Sequence, residues 1–439
     1  MVSNAPLVVF RILFGLIMVA ESFGAIALGW VGRVFVEPRL TFPHIGFEWL
    51  RFLSGPKMYA YFAAMGACAL GAALGWRYRL TSTGLAVLWT GAYFAQKTHY
   101  NNHYYLAVLV CWAMALLPAH RRSSLDVRAG RVERTETCAA WIPFFFRLQL
   151  AIVFIYAAIA KLYPDWFNGN YLGTNLGRKA DRWLIGPLLA EPWFQSVVAY
   201  TAVFFDALVI PALWWKKTRV AAYIGLIGFN LFNSYVFLIG VFPYMVLAFG
   251  VFFFEASTVE RLFRWIPGLT SGGSTPEARP TAASTATPAL TRFALVAYFA
   301  VQILLPLRHH LIDSDVTWTE EGHRMAWRMM LRTKSGTILL AAHDPASGTK
   351  EIIPLADWVT SRQLSRVATR PEFLYQLVQV LRDDYAEQGM PDVEIRAFHS
   401  AVSLNGTKAA PLIDSGVDLA RVRWNWFGHD DWVLDRAES

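Results

Sequence analysis

Charged residues and cysteines are both scarce in this chain of 439 residues. Charged residues make up 16% of it, whereas about 25% is typical of soluble domains. The three cysteines, Cys68, Cys111 and Cys138, leave the last third of the chain without a thiol, which argues against a disulfide framework and a thiol metal site. P-loop, GxSxG and HExxH motifs and cysteine pairs with zinc spacing are missing too, which excludes the common nucleotide, hydrolase and zinc-protease signatures.

Apolar residues are abundant instead. Hydrophobic residues account for 55% of the chain, and the mean hydropathy is +0.34, as in polytopic membrane proteins whose partner is the lipid bilayer. Many of the 18 Trp and 31 Phe residues lie at the ends of apolar runs, as in the aromatic belts of membrane interfaces. The net charge of +8 comes from arginines clustered between these runs, which argues against a nucleic-acid partner.

Apolar runs of roughly 20 residues predict an all-α membrane bundle of about nine transmembrane helices. The runs lie near residues 6–29, 57–75, 80–96, 103–118, 142–162, 196–215, 219–236, 239–255 and 290–307. Basic residues follow the second, fourth, sixth and eighth runs, and by the positive-inside rule that side is cytoplasmic. The N-terminus is then inside, and everything after residue 308 is outside. A cysteine-free outer domain and the lack of a signal peptide favour a multi-pass protein of a bacterial inner membrane, with the endoplasmic reticulum as the alternative.

Composition divides the chain into four segments. They are a transmembrane domain with the candidate site (1–265), a flexible cytoplasmic linker (266–289), a last transmembrane helix (290–308) and an extracytoplasmic β-rich domain (309–439). In the last segment, alternation around Lys334-Ser335-Gly336 and around Asn405-Gly406 predicts two hairpins. Residues Pro371–Glu387 have the periodicity of a helix. We therefore expect a C-terminal α+β extramembrane domain that is β-sandwich-like.

Lys161 ends the apolar run 148–162, which is long enough to cross most of a bilayer. A charged ammonium is costly in lipid, and a lysine that is neutral in such a place can act as a general base. The alternative is that Lys161 lies at a helix end and extends its ammonium to the headgroups. Position alone favours neither.

A second polar cluster, residues 96–104, forms an outer-side turn between two apolar runs and contains Asn101 and Asn102. His103 begins the next helix, where N–H groups can hold an anion or oxyanion. The alternative is an interfacial loop of polar side chains. Because Lys161 closes the fifth run on the same side, we expect His103 and Lys161 to lie at comparable depth and to face one cavity.

Further polar residues lie within apolar runs, where each is costly in lipid. Asp206 is expected to pair with a basic residue or a helix end, in either a structural or a catalytic role. Asn230 and Asn233 share one helix face and could line a polar cavity, but a bond to a neighbouring helix is favoured. After the last run, a solvated acidic turn is favoured over a metal site, so no metal is expected at Glu320, Glu321 and His323.

Several short blocks along the chain carry a resemblance to a known family. They are Val9–Gly15, Leu74–Arg79, Lys97-Thr98 with Asn101-Asn102-His103, Ile159–Leu162 with Asp165-Trp166, Phe237 with Gly240–Pro243, and Trp318 with Gly322 and Trp327–Met330. Their order and spacing resemble the vitamin K-dependent gamma-glutamyl carboxylases and their bacterial relatives with the horizontally transferred transmembrane (HTTM) domain. The resemblance spans nearly the whole chain.

The resemblance implies an enzyme and its chemistry. In these carboxylases a membrane lysine deprotonates vitamin K hydroquinone, and the anion reacts with O2 to give a strongly basic alkoxide and then quinone epoxide. The alkoxide removes a γ-proton from a glutamyl residue, to which CO2 adds. By the motif match, Lys161 would be this base. His103 would stabilise the negative charge that develops on the glutamyl side. The residues expected around vitamin K hydroquinone, or another quinol such as menaquinol, are Asn101, Asn102, Asp206, Asn230 and Asn233.

Two departures from the animal enzymes bear on the substrate. Asn230 stands where a histidine is expected, and Gln96 replaces an acidic residue, so the glutamate-containing peptide or protein acceptor is less supported than the quinol. Three functions stay open: a quinol-dependent γ-glutamyl carboxylase, a quinol epoxidase or monooxygenase without carboxylation, and a non-enzymatic quinone- or lipid-binding membrane protein. Lys161 and His103 favour the two enzymes.

Overall fold

Helices dominate the structure, a computed structural model that describes residues 1–270 and 287–436. The helices of the first part are α1 (Ala5–Ala27), α2 (Lys57–Leu74), α3 (Tyr78–Ala95), α4 (Asn102–Leu116), α5 (Leu125–Arg128), α6 (Trp141–Ala160), α7 (Pro164–Phe167), α8 (Asn170–Gly177), α9 (Gly186–Ala190), α10 (Pro192–Trp214), α11 (Arg219–Phe237), α12 (Phe242–Phe249) and α13 (Ala256–Leu262). Those of the second part are α14 (Ala289–Leu304), α15 (Ser361–Thr369) and α16 (Pro371–Glu387). The strands are β1 (Val2–Ser3), β2 (Thr137–Cys138), β3 (Lys334–His343), β4 (Lys350–Ile352) and β5 (Glu394–Leu404).

Each apolar run of the sequence lies on one of these helices, but the count of nine transmembrane helices is not confirmed. Within the described chain, six helices are long and apolar enough to cross a membrane: α1, α2, α6, α10, α11 and α14 with its extension to Leu311. Helices α4 and α12 are apolar but shorter. The protein is therefore an integral membrane protein with a mostly helical fold.

The first long helices pack in chain order, α1 on α2, α2 on α3 and α3 on α4. Gly75 makes the tight turn after α2, with a φ of +65°, and a Cβ there would lie 2.4 Å from Cβ of Ser124. The carboxylate of Asp126 accepts hydrogen bonds of 2.8 Å from the backbone N–H groups of Arg77 and Tyr78. This carboxylate caps the start of α3.

Aromatic side chains join α6 and α12 to this series. The ring of Phe10 on α1 lies 4.9 Å from the ring of Phe146 on α6 and 5.0 Å from that of Phe249 on α12. Such ring contacts add to the burial of apolar area. They hold α6, which ends directly before Lys161. Helix α10 packs on α6 and α11, and much of α10 and α11 stays uncovered at the edge of the bundle.

The C-terminal domain contains a three-stranded antiparallel sheet in the order β4-β3-β5. Helix α15 packs directly on β3 and β5, and α16 packs on α15. The helix predicted over Pro371–Glu387 is confirmed, with Phe373 and Leu377 fully buried. After β5 the chain turns at Asn405, whose φ is +53°, and Val402 pairs with Ala410, as the second predicted hairpin requires.

Two expectations for this domain are wrong. The segment Lys334-Ser335-Gly336 is not a turn but the start of β3, which pairs with β5 from Leu404 onward. Gly336 fits there because a Cβ would lie 2.6 Å from the Ala401 carbonyl oxygen. Among the described residues the domain has one three-stranded sheet and not two facing sheets, because α15 and α16 supply the layer that covers it.

The division of the chain into four segments stays a prediction. Most of the expected linker, residues 271–286, lies outside the described residues.

Candidate active site

A cavity of about 770 Å³ lies among α4, α6, α10 and α11 and reaches segment 328–334 of the C-terminal domain. Aromatic side chains line the half of it that lies between the helices, among them Phe154, Phe205 and Phe229 on α6, α10 and α11. All the site residues that the sequence singled out line this one cavity: Asn101, Asn102, His103, Lys161, Asp206, Asn230 and Asn233. The structure brings these residues together, and their roles stay predictions.

Lys161 follows the last turn of α6 and points into the protein. Its Nζ lies 2.6 Å from Oδ2 of Asp206 on α10 and 3.0 Å from the carbonyl oxygen of Ala157. Lys161 is 7% exposed and Asp206 is 5% exposed. The ammonium therefore does not extend to the headgroups. Lys161 is the basic partner of Asp206, one of the two kinds of partner that the sequence predicted. A charged lysine in lipid requires such a partner, because an unpaired buried charge costs several kcal/mol.

His103 is the second residue of α4, and its neighbours fix the start of this helix. The side chain of Asn101 accepts a 2.7 Å hydrogen bond from the backbone N–H of Tyr104, which caps α4. The His103 ring packs against that of Phe242, with centroids 5.4 Å apart. Within the described residues no hydrogen bond engages this imidazole, so its nitrogens are free for a ligand in the cavity.

The C-terminal domain is held on the start of α4 by direct hydrogen bonds. The amide of Asn102 donates to the carbonyl oxygen of Arg328 over 3.1 Å. The hydroxyl of Tyr100 donates to the Asn102 side-chain oxygen over 2.9 Å and accepts from the backbone N–H of Met325 over 2.6 Å. Asn102 therefore positions the cavity wall contributed by the C-terminal domain.

Among the described residues, neither asparagine of α11 makes the hydrogen bond to a neighbouring helix that the sequence favoured. The side-chain amide of Asn230 donates to the carbonyl oxygen of Leu226, one turn earlier on the same helix, over 2.8 Å. Both Asn230 and Asn233 line the cavity, which is the alternative that the sequence left open.

The half of the cavity next to the C-terminal domain is basic, which the sequence analysis did not anticipate. Glu320 is the carboxylate on this part of the wall, and Nε of Arg332 donates to it over 2.7 Å. Burial lowers the pKa of Lys334 to about 7, and the nearby charge of Arg370 lowers the pKa of Arg366 to about 9. The basic rim, as we call it, consists of Arg328, Arg332, Lys334, Arg366 and Arg370. A sequence signal for it exists in the density of Arg and Lys at 328–334 and 362–370.

The turn at 320–323 is not the solvated acidic turn that the sequence favoured. Glu320, Glu321 and His323 are all buried. Arg332 pairs with Glu320, and Nδ1 of His429 lies 2.7 Å from Glu321. Arg332 neutralises Glu320, and hydrogen bonds from Ser314 and from the backbone N–H of Asp430 satisfy Glu321 beside His429. These partners remove the reason for the two carboxylates to stay in water. No group of side chains suited to a metal ion occurs among the described residues.

Two family models match the chain. The HTTM domain model matches residues 1–257, more than half of the chain, and the model of the vitamin K-dependent gamma-carboxylase lumenal domain matches residues 287–439. No solved structure matches the chain. The family implies the use of vitamin K hydroquinone, and an apolar, aromatic cavity with a lysine in its wall fits a quinol ring. The chain belongs to the vitamin K-dependent gamma-carboxylase family of integral membrane proteins.

Proposed function

We propose that the protein is a quinol-dependent γ-glutamyl carboxylase. The main support is that a single cavity joins an aromatic half, with Lys161 in its wall, to the basic rim beside the C-terminal domain. An apolar quinol ring and an anionic glutamyl side chain have opposite requirements, and this cavity offers both environments side by side.

Lys161 is the base in this proposal, and Asp206 makes that role feasible. Passing one proton from the ammonium of Lys161 to the carboxylate of Asp206, 2.6 Å away, leaves a neutral amine and a neutral acid. The amine of Lys161 then accepts a proton from a hydroxyl of the quinol, and the new ammonium remains as a positive charge in the cavity. With O2, the bound quinol supplies the strong base that the family chemistry requires.

The basic rim binds the carboxylate of the acceptor. Cationic side chains form strong, charge-assisted hydrogen bonds to carboxylates, and the described part of the rim has four arginines, together with Lys334, against the single carboxylate of Glu320. His103 shares this cavity without a hydrogen bond in the described protein, so its ring can donate to negative charge that develops on the glutamyl side. The acceptor is thus a glutamate-containing peptide or protein, with CO2 as the second substrate.

Two alternatives each have one observation in their favour. Asn230, which is 2% exposed, places an amide in the cavity wall where the animal enzymes would have a histidine, and this favours a quinol epoxidase without carboxylation. The ion pair of Lys161 and Asp206 connects α6 to α10 and would serve a non-enzymatic quinone- or lipid-binding protein equally well.

Product analysis distinguishes the three functions. Purified protein is incubated with vitamin K hydroquinone, O2, ¹³C-labelled bicarbonate and a glutamate-rich peptide, and both products are measured by mass spectrometry. A carboxylase yields quinone epoxide together with labelled peptide. Epoxide without labelled peptide identifies an epoxidase, and the absence of both products despite quinone binding leaves a binding protein.

A further inference from the structure

Five large aromatic side chains are exposed on two loops, one between α1 and α2 and one in the C-terminal domain. The first loop, residues 46–52, carries Phe47, Trp49 and Phe52, and the second loop, residues 424–428, carries Trp426 and Phe427. Their exposed fractions run from 37% for Phe47 to 81% for Phe427. None of the five lines the cavity. A large apolar patch that stays exposed marks a surface for a protein partner or for a membrane.

The two loops touch, so their aromatic side chains belong to one surface. A Cβ on Gly46 would lie 3.6 Å from the indole ring of Trp426. Within the first loop, the rings of Trp49 and Phe52 stack with centroids 6.2 Å apart. We call the five exposed side chains the aromatic patch. It joins a connection of the helical bundle to the C-terminal domain.

The first loop lies at the membrane boundary because of the helices that it meets. It connects α1 to α2, and both are long and apolar enough to span a membrane. Phe47 stacks on Phe94, in the last turn of α3, with centroids 4.4 Å apart. The ammonium of Lys57, the first residue of α2, lies 5.5 Å from the ring centroid of Phe52. Aromatic rings at the ends of spans are typical of the lipid–water interface, and the contact at Gly46 brings the second loop to nearly the same level.

Polar groups of the two loops are satisfied within the protein. The side-chain oxygen of Asn425 accepts a 3.1 Å hydrogen bond from the backbone N–H of Phe427, which holds the second loop in a tight turn. In the first loop, the carboxylate of Glu48 accepts a 3.0 Å hydrogen bond from the side-chain amide of Gln376 on α16. A loop that enters the headgroup layer loses part of its water, and these internal bonds lower the cost of that loss.

We propose that the aromatic patch inserts into the lipid headgroup layer and docks the C-terminal domain on the membrane surface. The partner is the bilayer leaflet on the side of this domain and not another protein, because the first loop begins and ends beside membrane-spanning helices. Trp and Phe rings suit this layer, where apolar bodies are buried to about 5–10 Å. The docked domain also carries the basic rim, so the patch sets the height of the rim above the bilayer. The proposal holds whether or not the protein is a carboxylase.

A nitroxide spin label at position 427 tests the docking. The variant Phe427→Cys, in a Cys68→Ala background that removes the partly buried native thiol, is labelled and placed in phospholipid nanodiscs. Power-saturation EPR then measures collisions of the label with O2, which concentrates in lipid, and with a water-soluble nickel complex. We expect the ratio of O2 to nickel collisions to be at least about threefold higher at 427 than at the control site 347. Ser347 is the matched control, since it is exposed in the same domain and outside the patch.

Equal ratios at 427 and 347 overturn the docking, because the patch then lies in water. Few collisions with either reagent at 427 also overturn it, because a protein partner or a second copy of the chain then covers the patch. Adding Trp49→Ser and Trp426→Ser should lower the ratio at 427 to about the value at 347, whereas Trp426→Phe, which keeps an apolar ring, should not. An unchanged ratio in the folded double serine variant overturns the role of the patch. If Phe427→Cys does not fold, Trp49→Cys carries the label in the first loop with the same expected difference.

Discussion

The ammonium nitrogen of Lys161 lies 2.6 Å from a carboxylate oxygen of Asp206, and both side chains are buried at the boundary of α6 and α10. The pair is neutral as a whole, so it lowers the cost of holding two ionisable groups in an apolar wall. It also couples the two residues, since neither charge is stable there without the other. Stability and activity should therefore respond differently to single and double substitutions of the pair.

The first prediction concerns stability. Lys161→Ala leaves the Asp206 carboxylate buried without a cation, and breaking a buried pair in this way typically costs about 3–5 kcal/mol. The double variant Lys161→Ala/Asp206→Ala should recover part of that loss, because no charge remains unpaired. Thermal unfolding in detergent measures both. A double variant that is less stable than Lys161→Ala would show that the unpaired carboxylate of Asp206 does not cause the loss of stability in Lys161→Ala.

The second prediction concerns the base. Lys161→Ala should lower epoxide formation by about 10²–10⁴-fold, the usual contribution of a general base. Lys161→Arg should not restore it, because a guanidinium keeps its proton. Lys216→Ala is the control, since Lys216 is exposed and pairs with Glu255 away from the cavity. Epoxide formation at the wild-type rate by Lys161→Arg would remove the general-base role.

Hydrophobic runs were enough to predict the long apolar helices, and short motifs were enough to predict that His103 and Lys161 face one cavity. They were not enough to predict partners. The place of Asp206 in an apolar run predicts that it pairs with a cation. It does not predict which cation, because Lys161 is 45 residues away and becomes the partner only through the packing of α10 on α6. Glu320 and Glu321 were expected in water because acidic turns usually are. Arg332 and His429 bind these carboxylates through contacts that no local pattern contains.

The basic rim escaped prediction for a related reason. Residues 328–332 alternate as a strand does, so a hairpin was expected, whereas β3 begins only at Lys334. In an extended loop, as in a strand, side chains alternate with a period of two. The two structures differ only in whether a partner strand pairs with the segment, which the sequence pattern does not reveal. β3 takes β5 as its long partner, so segment 328–333 is left to line the cavity.

The third prediction concerns the contact between the two domains. Burial raises the pKa of Glu372, but Arg324 and Lys97 more than offset this and hold its pKa well below 4.5, the usual value. Because the pKa is lower in the folded state, the stabilisation is complete above about pH 4.5 and is lost as the pH falls below it. Glu372→Gln should destabilise the protein by about 3–5 kcal/mol at pH 7 and flatten its acid-side stability profile. Asp383→Asn, exposed on the same helix, is the control, and an unchanged profile in Glu372→Gln would contradict the prediction.

The fourth prediction concerns orientation in the membrane. If the arginine-rich loops are cytoplasmic, a cysteine at Ser347, in an exposed turn of the C-terminal domain, should react with an impermeant thiol reagent added to spheroplasts. A cysteine at Glu133, exposed in the loop between α5 and β2, should not. The wild-type protein is the blank, because Cys111 and Cys138 are buried and Cys68 is partly buried. Labelling with the opposite pattern would reverse the orientation and place the C-terminal domain in the cytoplasm.

The last prediction separates the two half-reactions through His103. A donor aimed at a developing oxyanion acts only in the step where that charge appears, and removing one costs roughly 10²–10³-fold. His103→Ala should therefore lower peptide carboxylation by that factor and leave epoxide formation much less affected. Lys161→Ala should lower both products, because without proton removal from the quinol no strong base forms.

The control for this prediction is His310→Ala, since His310 is exposed and does not line the cavity. Both products are measured in one assay for the wild type and the three variants, so that differences in protein amount cancel in the ratio of peptide product to epoxide. A fall in that ratio only in His103→Ala assigns the ring to the glutamyl side. Equal loss of both products in His103→Ala would move its role to quinol binding, where its contact with Phe242 in the cavity wall would be the relevant one.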